Sequence, residues 1–336
     1  PGNATGQPAN RGRHFLPPDF ETALRHLAWP SGWPAPGLGR LRPDTPWFVH
    51  SPSHLNDTVG IGRSLTTHAG VVSHHGIRSV LASIESTFMS IFDGTAAIIN
   101  RSLFGSRSVE YRQVEALRLL AEEGAAGLEG AALVRSLYEH TKERWRDVTG
   151  RFPRRASAQN WRFTLNTSIS ERNTSREKQV EKRLARLAEQ GRLSRSDWAN
   201  QIPVASGLLD HRADKKACVD LAYRTNPGCF ELIELKMDKG GGHVVFAAME
   251  ALRYAVVYLF SRRLARELGY AFDGSGLLGA QRVRLIVLAP ASYYRGVPPL
   301  LLRSLCDALN AGLTAECARE NPAGPVMELG FEQFAD

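Results

Sequence analysis

Two short apolar segments joined by a turn constrain this chain more than any other feature. Cys218-Val-Asp-Leu-Ala-Tyr223 is followed, after Thr225-Asn-Pro-Gly228, by Phe230-Glu-Leu-Ile-Glu-Leu-Lys-Met237. Strand-forming residues on both sides of turn chemistry predict an antiparallel hairpin. Side chains alternate faces along a strand. Ile233, Leu235 and Met237 therefore share a face that enters a core, and Glu234 and Lys236 stand side by side on the other. The same hairpin brings Asp220 next to Glu234.

Two carboxylates this close repel each other unless a cation lies between them. Mg2+ suits such a pair, because it takes oxygen ligands and keeps several waters. A neighbouring ammonium can hold or deprotonate a water at that ion. Asp220 and Glu234 are thus the expected metal ligands, and Lys236 completes an expected catalytic set for phosphodiester hydrolysis.

The elements around the hairpin follow from periodicity. Helices are predicted over 174–190, with Val180, Leu184 and Leu187 inward, over 244–268 and over 298–316. Further strands are predicted at 202–209, 283–289 and 326–331. The order α-β-β-β-α-β-α-β implies an α/β fold around a mixed sheet. Upstream, helical spacing runs over 77–103, with a break at Asp93-Gly94, and over 109–123 and 128–140. The last two flank a Gly124-to-Gly127 turn and read as an αα-hairpin in preference to a DNA-reading helix-turn-helix. The expected organisation is a mainly helical recognition or interaction region over 1–150, a basic linker over 151–173 and a catalytic domain over 174–336.

Net charge points to the partner. The 336 residues carry a formal charge of +8, which favours an acidic ligand such as nucleic acid. Residues 142–162 concentrate this charge, including Arg154 and Arg155, and interleave Trp145, Phe152 and Trp161. Such a stretch either follows a nucleic-acid backbone or is a connector pinned by its aromatics. The four cysteines form no CxxC pair, so reduced core thiols and a cytoplasmic setting are expected, without a zinc site. The apolar run 244–260 contains Glu250 and Arg253 and reads as a buried helix, so no membrane partner is expected. Adjacent His74 and His75 read as surface or capping residues.

At the hairpin the chain resembles the PD-(D/E)xK nuclease superfamily. Asp220 matches the first acid, with Val219 where the family name has proline, and Glu234-Leu-Lys236 matches the second half of the motif. The resemblance extends over residues 174–334. The family often carries a further Glu on the helix ahead of the sheet. Glu177 and Glu181 both fit, and Glu177 is preferred because it lies nearer the apolar stripe on a helical wheel. Nucleases of the RecB type have Gln-x-x-x-Tyr on the next helix, where this chain has Glu250-Ala-Leu-Arg-Tyr254. The resemblance implies a restriction-endonuclease-like mixed sheet flanked by helices, preceded here by a mainly α-helical N-terminal domain. It implies a Mg2+-dependent nuclease, with Mn2+ able to substitute, acting on nucleic acid with DNA favoured over RNA. A role in bacterial anti-phage defence would fit such a domain. Beside the loop Gly240-Gly-Gly242, Lys239 and His243 are expected to touch substrate, together with Arg253, Tyr254, Arg154 and Arg155. The N-terminal region is expected to recognise substrate, a protein partner or a second copy of the chain. The alternative is a catalytically silent protein that binds or assembles on a nuclease fold.

Overall fold

Pro227 and Gly228 turn the chain back between two strands. Gly228 has φ +74°, a conformation that glycine adopts without the Cβ penalty, and proline before it suits a type II turn. The computed structural model describes residues 90–125, 127–151, 160–168, 175–193, 197–204, 217–237, 242–270, 276–320 and 324–334. Along them run α1 (Thr95–Phe104), α2 (Val114–Glu123), α3 (Gly130–Arg151), α4 (Arg176–Glu189), β1 (Trp198–Pro203), β2 (Cys218–Asn226), β3 (Cys229–Leu235), α5 (Val244–Arg263), β4 (Arg282–Pro290), α6 (Pro299–Glu320) and β5 (Val326–Phe334). The five strands lie in sequence order in one sheet. β1, β2 and β3 pair antiparallel, and β4 and β5 add in parallel, giving a mixed sheet with flanking helices. From α4 onward this is the element order expected from the sequence.

The hydrophobic pattern explains the layers. Phe230 and Leu232 of β3, with Val283, Leu285 and Val287 of β4, share a core cluster with α5. α5 is buried around most of its circumference, including Val245, Ala248, Leu252, Val256, Leu259 and Phe260. It is long and apolar enough to cross a membrane by length and composition alone, but it lies inside the fold. Ile233 and Leu235 are also buried, so β3 is covered on both faces. Glu234 and Lys236 consequently sit under α5 instead of on an open surface.

The described helices upstream of the sheet close over α5. Residues 88–336 belong to one compact unit, and Leu133, Val134, Leu137 and Tyr138 of α3 join the same core. Tyr138 and Trp145 both meet the ring of Phe260. Trp161 is buried edge-on against Tyr258. Trp145 and Trp161 of the basic stretch therefore act as hydrophobic pins. Arg154 and Arg155 lie outside the described residues, as do His74 and His75 and the helical spacing expected over 77–89.

Local departures from expectation have physical causes. β1 begins at Trp198, earlier than the predicted 202, because Trp198 stacks on Tyr223 across the strand pair at 4.8 Å. Val114 is 76% exposed although it lies within the helical spacing predicted over 109–123. α2 starts at that residue, and the packed line is Ala116 and Leu120.

α3 and α6 cross at glycines. A Cβ on Gly130 would lie 1.7 Å from the carbonyl oxygen of Ala308, and one on Gly312 would lie 2.3 Å from the carbonyl of Gly130. These are backbone atoms, which cannot rotate away as a side-chain end can. Gly130→Ala is expected to lower stability by about 1–3 kcal/mol through overpacking, read as a lower urea midpoint at unchanged slope. An unchanged midpoint would contradict the close crossing.

Candidate active site

The β2–β3 register pairs Leu221 with Ile233, and its continuation sets Asp220 opposite Glu234. The ladder ends there because a side chain takes over. The Leu235 amide donates to Asp220 Oδ2 at 3.0 Å, while the Lys236 amide turns to the Leu288 carbonyl of β4. Asp220 is thereby fixed against the end of β3. Lys236 Nζ donates to Glu234 Oε1 at 2.7 Å and to Glu250 Oε2 of α5 at 2.9 Å. The hairpin thus brings Asp220, Glu234 and Lys236 together.

A second set of polar groups comes from α4. Ser175 caps this helix, its hydroxyl accepting from the Lys178 amide. Glu181 lies on the buried face, fully shielded from solvent. Its Oε1 pairs with Lys178 Nζ, which also reaches Asp220 Oδ1 at 3.2 Å. Its Oε2 accepts from Gln201 Nε2 at 3.1 Å. Gln201, in β1 opposite Asp220 by register, has φ +49°, a strained conformation for a residue with a side chain. The helix therefore presents Glu181 to the acid cluster. Glu177 is half-buried one turn earlier, and its charge adds to burial in raising the pKa of Tyr293. A helical wheel reports angle but not position along the axis. The turn of α4 that meets Gln201 and Asp220 is the one carrying Glu181.

α5 supplies the cover. Phe246 stacks on Tyr111 and lies below Lys236 Nζ, which is 5.7 Å from its ring centre, and the Arg112 guanidinium lies over both rings. Tyr254 is buried beside the cluster. Desolvation raises its pKa, and the charges of Glu234, Glu250 and Asp220 raise it further. Arg253 lies over the ring of Phe92 at 4.2 Å. His243 is buried, with Nε2 2.7 Å from the Gln113 carbonyl, so its side chain ties α5 to the start of α2. Lys239 lies outside the described residues.

The charges settle unevenly. Burial works to strip the proton from Lys236, but Glu234 and Glu250 outweigh it and raise the pKa. Lys178 is raised in the same way, Asp220 and Glu181 overcoming its burial. Glu234 is held well above the ordinary carboxylate range by burial, with Asp220 and Glu250 adding to it. Glu181 is pushed up to about 7 by burial and by the charge of Asp220. Burial pushes the Cys218 thiol up to about 12, which makes it an inert neighbour.

The donor set fits a hard divalent cation at Asp220 and Glu234. Glu234 Oε2 is buried without a hydrogen-bond partner, and carboxylate oxygens are the ligands such a cation takes. Among the described residues no group of three or more His, Cys, Asp or Glu side chains is placed to hold a metal ion. Mg2+ needs none, since it retains waters.

Lys178, Gln201 and Glu250 were not singled out as site residues in the sequence reading. Lys178 had a faint signal, an (i, i+3) position to Glu181 on an amphipathic helix. Glu250 stands at the position where the nuclease pattern that the hairpin resembles has Gln. Gln201 had no signal, because a positive φ is not written in residue type. Comparison of the chain with protein-family models, curated proteins and solved structures returns no match.

Glu181 makes the site pH-sensitive. With its pKa higher in the folded chain than in the unfolded one, its contribution is full below about pH 4.5 and is lost as pH rises through about 7. In EDTA, the stability of the wild type relative to Glu181→Gln is expected to fall between pH 5 and 8 by on the order of 2 kcal/mol. Urea unfolding of both proteins across that range measures it, and a difference independent of pH would refute the assignment.

Proposed function

We propose that the chain is a metal-dependent nuclease of the PD-(D/E)xK type, hydrolysing phosphodiester bonds of nucleic acid, with DNA favoured over RNA. The observation that carries this reading is Asp220 opposite Glu234 in register, with Lys236 Nζ 2.7 Å from Glu234. The α-β-β-β-α-β-α-β order supports assigning the sheet to the restriction-endonuclease-like fold. The net charge of +8 supports a polyanionic substrate.

In this reading Asp220 and Glu234 hold Mg2+, or Mn2+ in its place. The bound ion supplies Lewis acidity and neutralises charge at the scissile phosphate. Lys236 is held charged between Glu234 and Glu250, which suits it to orient the attacking water and donate to developing negative charge more than to abstract a proton. Glu250 keeps that ammonium in place. Glu181, its pKa pushed up by burial and by the charge of Asp220, is suited to exchange a proton at the edge of the site. Tyr254 and Phe246 wall the site and keep bulk water out.

Cleavage of labelled double-stranded DNA, single-stranded DNA and RNA, with Mg2+, Mn2+ or EDTA, tests the proposal. Cutting is expected with either metal and not in EDTA, and Asp220→Ala and Lys236→Ala are each expected to lower the rate by about 100-fold or more. Retention of full rate in both variants would sink the assignment. Binding without cutting would favour the silent binding protein instead.

A further inference from the structure

We propose that Lys178 is a tethered cation seated between Glu181 and Asp220, so that the site takes one divalent ion, at Asp220 and Glu234, and has no seat for a second. This rests on the metal-dependent reading above and adds the stoichiometry of the site.

The polar partners are distributed unequally. On the α4 side every carboxylate oxygen is engaged by the protein. Glu181 Oε1 pairs with Lys178 and Oε2 accepts from Gln201, while Asp220 Oδ1 meets Lys178 and Oδ2 accepts from the Leu235 amide. On the β3 side Glu234 Oε1 accepts from Lys236, but Oε2 is buried with no partner. The oxygen left without a partner is therefore on Glu234, and not on either carboxylate that Lys178 pairs with. Asp220 keeps further lone pairs and can face both ways.

The charge count agrees. Glu181, Asp220, Glu234 and Glu250, when ionised, face the two ammoniums of Lys178 and Lys236. Two negative charges remain, which one divalent cation neutralises. A second would leave the cluster net positive and would have to displace Lys178 from two carboxylates. Lys178 is anchored to stay, since its side chain is only 21% exposed and leaves a helix capped three residues earlier. Gln201 completes the arrangement. Its amide nitrogen holds the Glu181 oxygen that Lys178 does not, and its oxygen lies 3.5 Å from the Asn166 amide nitrogen. The strained φ of Gln201 marks a backbone bent to bring that amide under α4.

Mn2+ binding to the full-length protein tests this without recourse to activity. Calorimetric titration and loss of the free-ion EPR signal should give one Mn2+ per wild-type chain. Lys178→Met should bind two, because Glu181 and Asp220 are then left without their cation. Lys178→Arg, which keeps the charge, should bind one. Two ions in the wild type would overturn the inference and leave the nuclease reading standing, whether or not any variant folds. One ion in a Lys178→Met protein with wild-type circular dichroism would also overturn it. No ion in the wild type, or binding unaffected by Glu234→Ala, would overturn the metal reading together with the inference.

Discussion

A lysine held between two acids, with a helix on one side and a strand on the other, organises this molecule. Charged groups leave water at a cost of several kcal/mol each unless they are paired and hydrogen-bonded. Lys236 and Glu234 are both buried, and Glu250 reaches them from α5. That ion pair is a polar contact between α5, a long and largely buried apolar helix, and the end of β3. Apolar contacts supply area but little direction. The Glu250–Lys236–Glu234 chain sets which face of α5 lies on β3, and α2, α3 and α6 then cover the remaining faces.

The charged cluster and the apolar layers constrain each other. Lys236 lies over Phe246, Phe246 stacks on Tyr111, and His243 binds the carbonyl at the start of α2. The residues walling the site are also the residues that dock the upstream helices. Low water access strengthens every interaction within the cluster, and it also drives the pKa values of Glu234 and Glu181 up.

Much of this was legible in residue order. The hairpin was marked by Pro227-Gly228 and by apolar alternation around Glu234 and Lys236, and alternation is a property of backbone geometry that needs no tertiary information. The order of elements from α4 to β5 followed from periodicity and turn residues, whereas the order of the strands within the sheet did not. What escaped was set by contacts between distant segments. Glu181 and Glu177 share a helix face, and only the crossing of α4 over β1 and β2 separates them. The expectation that His243 touches substrate did not foresee its contact with a carbonyl 130 residues earlier in the chain, at Gln113. Charge on Lys239, Arg154 and Arg155 is plain in sequence, but those residues lie outside the described part of the fold.

The composition of α5 has a consequence for how the chain is made. While it is being synthesised, a segment this apolar resembles what membrane-insertion machinery selects, and in water it invites aggregation. Two of its charged residues, Glu250 and Arg253, are met by partners that precede it in the chain: Lys236 and Phe92 have already been translated when α5 emerges. The helices that cover its upstream face are likewise complete by then, whereas β4, β5 and α6 are still to come. The nascent chain thus carries its own shelter for its most hazardous segment. The helices α1, α2 and α3 are available to cover α5 as it emerges.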